Sequence, residues 1–363
     1  MLVSPLHPQL PQQPKGHVHW GQLYGSSKSL ALANLACSSQ APILLMVSDM
    51  AEANRLYDEL CFFKTETCEI LLFPDWETLP YDTFSPHEDI ISSRLTVLSR
   101  LPHLTQGILI IPMTTLMHPL MPREYLQTHS LVLQQGQQLD LTAMRQTLMA
   151  AGYRSVEQVM QHGEFALRGA IIDLYPMGSE LPYRIDLLAD EIDSIRTFDP
   201  ETQRSVEKLT AINLLPAKEF PLTEESIPRF RQAWGEQFNG RPMDCPIYED
   251  ISQGLSSNGI EYYLPLFYQE TASLFDYLPK NSIIVHNEGV YQAAEKFWLE
   301  VRQRYAQYSH DVTRPLLPPQ RLFISIDKVF ALCKQYLQIS LHTKTLETGM
   351  ANTNFTTAQL PNV

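Results

Sequence analysis

The residues best suited to do chemistry are Gln22-Leu23-Tyr24-Gly25-Ser26-Ser27-Lys28-Ser29. They have the length and ending of a phosphate-binding loop, GxxxxGK[ST]. In such a loop backbone N–H groups cradle the phosphates, the lysine reaches the terminal ones and the hydroxyl meets Mg²⁺. Lys28 and Ser29 hold the lysine and hydroxyl positions, but Gln22 and Ser27 replace the two motif glycines. A side chain just before the lysine obstructs a cradle that needs bare backbone. Hydrolysis would also require an acid after a buried strand, to hold Mg²⁺ and orient water. The apolar run Ile283-Ile284-Val285 leads instead into His286-Asn287-Glu288-Gly289, where Glu288 comes two positions late. Both halves of the machinery read as lost.

No other cluster suggests a reaction. The 11 histidines include no pair at i+3 or i+4 that would set two metal ligands on one helical face. Cys37, Cys61, Cys68, Cys245 and Cys333 show no metal-ligand spacing, and an odd, scattered set suits reduced thiols in a cytoplasm. There is no interpretable Ser/His/Asp or Cys/His arrangement. A net charge of −13 argues against free nucleic acid as the main partner, because non-specific affinity comes mostly from Lys and Arg on phosphates. No apolar run approaches membrane-spanning length. The start, with Pro5, Pro8, Pro11 and Pro14, reads as a frayed leader.

The elements that must position these residues alternate between strand and helix from Trp20 to Pro112. Pro42–Val47, Ile70–Phe73 and Gly107–Pro112 are short continuous apolar runs, as expected of parallel strands buried on both faces. Met50–Phe63 has helical spacing. The next helix is expected to start at a Ser85 N-cap, with Pro86 at its first position and Glu88 closing a capping box. Pro122 marks a change to an α+β pattern, with a strand at Ser130–Leu133 and a helix over Thr142–Gly152. A mostly helical segment follows Pro216. Asn281–Val285 is again a buried strand and Ala293–Tyr308 a long amphipathic helix. Leu322–Ile326, Val329–Tyr336 and Leu337–Leu341 predict a strand–helix–strand unit, and the polar stretch after Thr345 a linker.

Gly163–Asp199 predicts consecutive antiparallel strands. A run from Phe165 to Tyr175 precedes the turn residues Pro176–Pro182, and Tyr183–Ala189 then alternates. Tyr183, Ile185, Leu187 and Ala189 form a core face, and Arg184, Asp186 and Leu188 the opposite one. An apolar residue beside an arginine on a wet face suggests an interface, since arginines and apolar anchors concentrate at binding hot spots. The bland alternative is a solvated face with one stray leucine.

Four strings carry a resemblance: Asp75–Leu95 (DWETLPYDTFSPHEDIISSRL), Gly152–Arg196, Ile212–Pro221 (INLLPAKEFP) and Arg314–Pro319 (RPLLPP). Over about residues 14–350 the chain resembles the N-terminal portion of the bacterial transcription-repair coupling factor family (Mfd), itself similar to the damage-binding protein UvrB. The resemblance implies an α/β fold: a degenerate P-loop parallel-sheet domain, UvrB-like and RecA-related, with an inserted α+β adaptor domain. The expected division is a disordered leader (1–13), an α/β domain (14–122), the adaptor (123–216), a helical domain returning to the core (217–344) and a linker (345–363). UvrB's nucleotide loop and Mg²⁺/water motif align with Gln22–Ser29 and His286–Glu288, both altered here, and the route from Tyr81 to Ser85 is too short for UvrB's DNA-clamping hairpin.

What the resemblance implies is kept is the sheet that binds UvrA, through two arginines matching Arg168 and Arg184 and an aromatic position occupied by Leu188. It further implies no cofactor for this chain. ATP, Mg²⁺, duplex DNA and RNA polymerase would be engaged by downstream domains outside it, and a C-terminal domain would mask the UvrA face. The expected function is therefore a non-catalytic, cytoplasmic, UvrA-recruiting module. The alternatives are a structural shell around the motor domains, or a nucleotide-dependent DNA enzyme using Lys28 and Glu288.

Overall fold

The computed structural model describes residues 3–8, 15–347 and 349–358. The apolar runs become a sheet. Strands β1 (Gly16–Gly21), β2 (Ile43–Val47), β3 (Glu69–Leu72) and β4 (Gly107–Pro112) come first in the chain. They are followed by β5 (Leu131–Gln134), β6 (Arg154–Ser155), β7 (Glu164–Arg168), β8 (Ile171–Tyr175), β9 (Tyr183–Leu188), β10 (Glu191–Phe198), β11 (Ser205–Leu209) and β12 (Ala211–Leu214). Then come β13 (Ile283–His286), β14 (Leu337–Leu341) and β15 (Asn352–Asn354). The parallel sheet has the order β15-β1-β14-β13-β2-β4-β3, and its centre is buried on both faces, as the lack of alternation in Ile43–Val47 and Gly107–Pro112 requires. One face packs on helices α1 (Ser27–Ser38) and α2 (Met50–Phe63), through Leu32, Leu35, Leu56 and Leu60. The other face, with Leu44, Met46, Leu109 and Ile111, opens into a core continuous with the rest of the chain.

The second sheet is the adaptor, with the order β11-β10-β9-β8-β7-β6, antiparallel except for the short β6–β7 pair. β5 and β12 form a separate two-stranded ribbon. Phe165, Ile172, Leu174, Ile185, Ile192 and Ile195 turn one adaptor face into the shared core.

Several expectations change. The run Phe165–Tyr175 is two strands, β7 and β8, folded back at Gly169-Ala170. Ala189 is exposed in the turn between β9 and β10 with φ 55°, so the alternation ends one residue before it. The expected strand Leu322–Ile326 is a helical turn and a loop, because Pro318 and Pro319 start a helix there. Residues 345–363 are not simply a linker. Asn352–Asn354 pair with β1, and Phe355 is fully buried with its ring 5.1 Å from that of Trp20. Two flanking asparagines hid this strand, since Asn is poorly represented in strands. Of the expected leader, residues 3–8 dock on this edge, where Val3 N–H donates to Asn354 O at 3.2 Å. Residues 1–2, 9–14, 348 and 359–363 lie outside the described residues.

Helix α3 (Glu88–Arg100) is capped by His87, whose ring accepts from Asp89 N–H, and not by Ser85. Ser85 is drawn away by a tertiary contact. Its hydroxyl donates to Glu261 Oε2 at 2.7 Å and accepts from Gly259 N–H at 3.0 Å. Gly259 has φ 75°, and a Cβ there would meet Asp82 O at 2.9 Å, so a glycine is required. Burial drives the Glu261 carboxyl up to about 7, against the lowering pull of the Ser85 hydrogen bond.

An acid with a raised native pKa keeps its proton longer in the folded state, so stability falls as pH rises from about 4.5 to 7. The loss is of the order of 3 kcal/mol at most. Glu261→Gln should therefore raise the melting temperature at pH 8 and leave it nearly unchanged at pH 4.5. Equal shifts at both pH values would contradict this.

Candidate functional site

The structure brings the loop Gln22–Ser29 and the segment His286–Glu288 together, at the ends of β1 and β13. Lys28 Nζ donates to Asn287 Oδ1 at 3.3 Å, and Asn287 Nδ2 to Glu52 Oε1 at 2.6 Å. Ser29 is buried, and its hydroxyl donates to Glu59 Oε2 at 2.5 Å. Gln22, at φ 62°, donates from Nε2 to Thr357 O at 2.8 Å, and its carbonyl accepts from the Thr357 hydroxyl. Ser27 Oγ closes onto Tyr24 O at 2.6 Å. Gly25, at φ 54°, has open space where a Cβ would stand.

The Mg²⁺-motif segment is likewise engaged. His286 is buried against Gln338 at 3.0 Å, and burial pushes its pKa down to about 4. Glu288 accepts from the Thr343 N–H at 2.9 Å and hydroxyl at 2.5 Å. Partial burial raises the Glu288 carboxyl, but those bonds and nearby Lys28 outweigh it, leaving its pKa below the usual value. Gln22, Ser27, Lys28, Ser29, His286, Asn287 and Glu288 thus each have a partner within the protein. Among the described residues no group of three or more His, Cys, Asp or Glu could hold a metal ion.

The second place is the outer face of the adaptor sheet. Register puts Arg168 opposite Ile171, and Ile171 opposite Asp186; Asp173 lies opposite Arg184, which lies opposite Arg196. Arg168 and Arg184 therefore share a face but stand two strands apart, with β8 between them. Asp173, fully buried, joins them. It accepts from Arg184 Nε at 2.7 Å and Nη2 at 2.9 Å, and also from Arg168 Nη2. Arg184 adds a bond from Nη1 to Gln203 O at 3.2 Å and lies over the Phe198 ring at 4.8 Å. The Asp173 hydrogen bonds raise its pKa further and keep it charged.

Asp186 continues the pattern, bonded by Ser194 Oγ at 2.8 Å and paired with Arg196 at 3.5 Å. Leu188 is 73% exposed at the end of β9. A small cluster, Val159 with Ala166 and Phe198, covers the other end of this face.

This geometry belongs to a recognisable unit. The family model of the UvrB interaction domain matches residues 131–220, which contain the whole Arg168–Asp173–Arg184 constellation. The transcription-repair-coupling factors of Escherichia coli and Haemophilus influenzae are 44% and 43% identical to the chain over 94% and 100% of its length. That of Bacillus subtilis is 30% identical over 73% of it. Residues 131–220 thus match the UvrB interaction domain, in a chain similar to part of the transcription-repair-coupling factors. The chain spans 30% and 32% of the first two relatives, or about a third of their length.

Within the matched residues Arg184 and Leu188 occupy one face, as the alternation of β9 required, and the register of β7 and β8 adds Arg168 to it. Gly169 is the first residue of the β7–β8 turn, at φ 61°. The two-residue turn resets the alternation, so Arg168 shares a face with Ile171 and Asp173 and not with Ile172 and Leu174. Arg184 was expected to be free in solvent, but its side chain is only 19% exposed, against 50% for Arg168.

Sequence reasoning missed Asp173. The available signal was an acid inside the apolar strand Ile171–Tyr175, since a carboxylate in a buried strand needs a cation. Arg184→Ala removes two of the hydrogen bonds that Asp173 accepts. It should destabilise the chain by on the order of 2–4 kcal/mol, and Arg168→Ala by clearly less. Urea unfolding of both variants checks this, and equal midpoints would contradict it.

Proposed function

We propose that this chain is the UvrA-binding adaptor part of a transcription-repair-coupling factor, which recruits UvrA to stalled RNA polymerase in nucleotide excision repair. The observation that carries this reading is the arginine-bearing face of the UvrB interaction domain, with Leu188 73% exposed beside it. Guanidinium forks around an apolar anchor suit a partner surface that presents carboxylates around a small pocket. The face carries Arg168, Arg184, Arg196 and Lys208 together with the acids Asp173, Asp186, Glu164 and Glu191, a mixed surface suited to charge-paired docking. RNA polymerase binding, ATP- and Mg²⁺-dependent translocation on duplex DNA, and masking of the UvrA face by a C-terminal domain belong in this reading to regions of the family protein beyond this chain. The cytoplasm is the compartment that goes with it. The domain limits proposed are 14–122, 123–216 and 217–344.

We also propose that the parallel-sheet domain is a RecA-related, degenerate P-loop domain without catalytic function or cofactor. Support comes from the loop's position between β1 and the first turn of α1, and from the partners already held by Lys28, Ser29, Asn287 and Glu288. A nucleotide-driven enzyme would need these groups free for phosphate and metal.

UvrA should bind the chain saturably in a titration, and Leu188→Glu should weaken binding by about tenfold or more while leaving the melting temperature unchanged. Wild-type affinity in that variant would remove Leu188 from the interface. Mg²⁺-ATP should give no binding heat in calorimetry, and micromolar affinity abolished by Lys28→Ala would overturn the degenerate-loop reading.

A further inference from the structure

One segment, residues 349–358, ties the β15 edge of the parallel sheet to the loop Gln22–Ser29. β15 pairs with β1 over only three residues, His19 with Asn352, Trp20 with Thr353 and Gly21 with Asn354. Backbone bonds extend it at each end: His19 N–H donates to Ala351 O at 2.8 Å, and Phe355 N–H to Gly21 O at 3.0 Å. Phe355 enters the core beside Trp20, and Thr357 then arrives over the loop. There Gln22 Nε2 donates to Thr357 O at 2.8 Å. The Thr357 hydroxyl donates to Gln22 O and accepts from the Tyr24 N–H at 3.3 Å.

Gln22 stands at the first glycine position of the phosphate-loop pattern, with φ 62°. A residue with a side chain keeps that left-handed conformation only where its surroundings over-determine it. Thr357 grips it from one side, and from the other Gln22 N–H donates to Lys344 O at 2.9 Å. The segment is also fitted to β1 by shape. A Cβ on Gly21 would stand 2.5 Å from Asn354 Oδ1 and 2.6 Å from Leu346 Cγ. The same Asn354 amide accepts from Leu346 N–H at 2.9 Å and donates to Leu346 O at 2.8 Å, closing the segment on itself. Yet a three-residue parallel edge strand with one buried aromatic anchor is a weak cover. Parallel pairs are slightly less stable per residue, and elements with few buried contacts open without global unfolding.

We propose that residues 349–358 are a detachable strap that latches the loop Gln22–Ser29 shut, anchored by Phe355 and locked by Thr357. Latched, Gln22 is held in its left-handed turn and the Tyr24 N–H is consumed. Released, the edge of β1 and the Gln22–Tyr24 turn are freed together, while β2, β4 and β13 keep their pairing. The coupling is reciprocal: a load that draws the strap away loosens the loop, and a group that reshapes the loop weakens the strap. This device is independent of the adaptor face and of what binds there.

The test is amide hydrogen exchange of the full chain, resolved to single amides by fragmentation in the mass spectrometer. Phe355→Ala should speed exchange at Tyr24, Thr356 and residue 355 together, at least tenfold, and leave β2 and β4 unchanged. Gly21→Ala, which alters nothing in the strap itself, should do the same by displacing Asn354. Thr357→Val removes only the two bonds of the hydroxyl. It should speed Tyr24 at least threefold while Phe355 stays protected.

A freely exchanging strap over a Tyr24 amide as protected as in the wild type would overturn the latch. Acceleration spreading equally to β2 and β4 would show that the strap is no separate unit, and would overturn it as well. Should Phe355→Ala fail to fold, the other two variants decide, since neither empties the core. Unchanged Tyr24 exchange in both of them would sink the proposal.

Discussion

A buried ion pair fastens the adaptor to the parallel-sheet core. Arg94, from the middle of α3, donates from Nε to Glu219 Oε1 at 2.9 Å and from Nη1 to Pro74 O at 3.0 Å. Its side chain is wholly buried and that of Glu219 is 3% exposed. The guanidinium also lies 4.4 Å from the centre of the Phe73 ring and 5.3 Å from that of Trp76. Glu219 stands just past the adaptor's last strand, and the neighbouring Lys218 reaches Glu88 at the start of the same helix at 2.7 Å. Such a pair adds little net stability, since desolvation roughly cancels attraction, but losing one partner strands a charge and costs several kcal/mol. Its consequence is geometric: the adaptor sheet is held in one orientation on α3. It acts together with the shared hydrophobic core and with the bonds of Gly178 to Ser92 and His162 to Asp89 on the same helix.

The same economy governs both candidate sites. A polar group buried without a partner is expensive, so the polar groups at both places are bonded within the protein. In the loop at α1, Lys28, Ser29, Gln22 and Asn287 bond to neighbouring protein groups. On the adaptor face, Asp173 cannot remain ionised in a buried position without cations, and the two arginines supply them. In the loop the named side chains are held by protein partners, whereas on the adaptor face Arg168 is left only partly satisfied.

Strands β2, β3, β4, β13 and β14 were legible because each is a short apolar run with turn residues at its ends, and the parallel arrangement followed from the helices between them. The outward placement of Arg184 and Leu188 was legible because side chains alternate along a strand whatever surrounds it. The departures of Gln22 and Ser27 from the glycine positions of a phosphate-binding loop are matters of residue identity at fixed spacing, so they too could be read from the chain alone.

Long-range partners decided the rest. Ser85 has the right neighbours to cap α3, yet it bonds to Glu261, which is 176 residues away. Asn352–Asn354 carry no strand signal and become a strand because β1 offers them an edge, and because Phe355 finds a place beside Trp20. Two residues at a turn, Gly169-Ala170, split one apolar run into two strands and set which of its residues face outward. The joining of Arg168 and Arg184 through Asp173 depends on the register of three strands, which local periodicity does not specify. Sequence determined what each segment could be, since propensity and alternation are local properties. Only tertiary structure decided which polar groups meet, because hydrogen bonds and ion pairs form between groups that the chain's path brings within about 3 Å of one another.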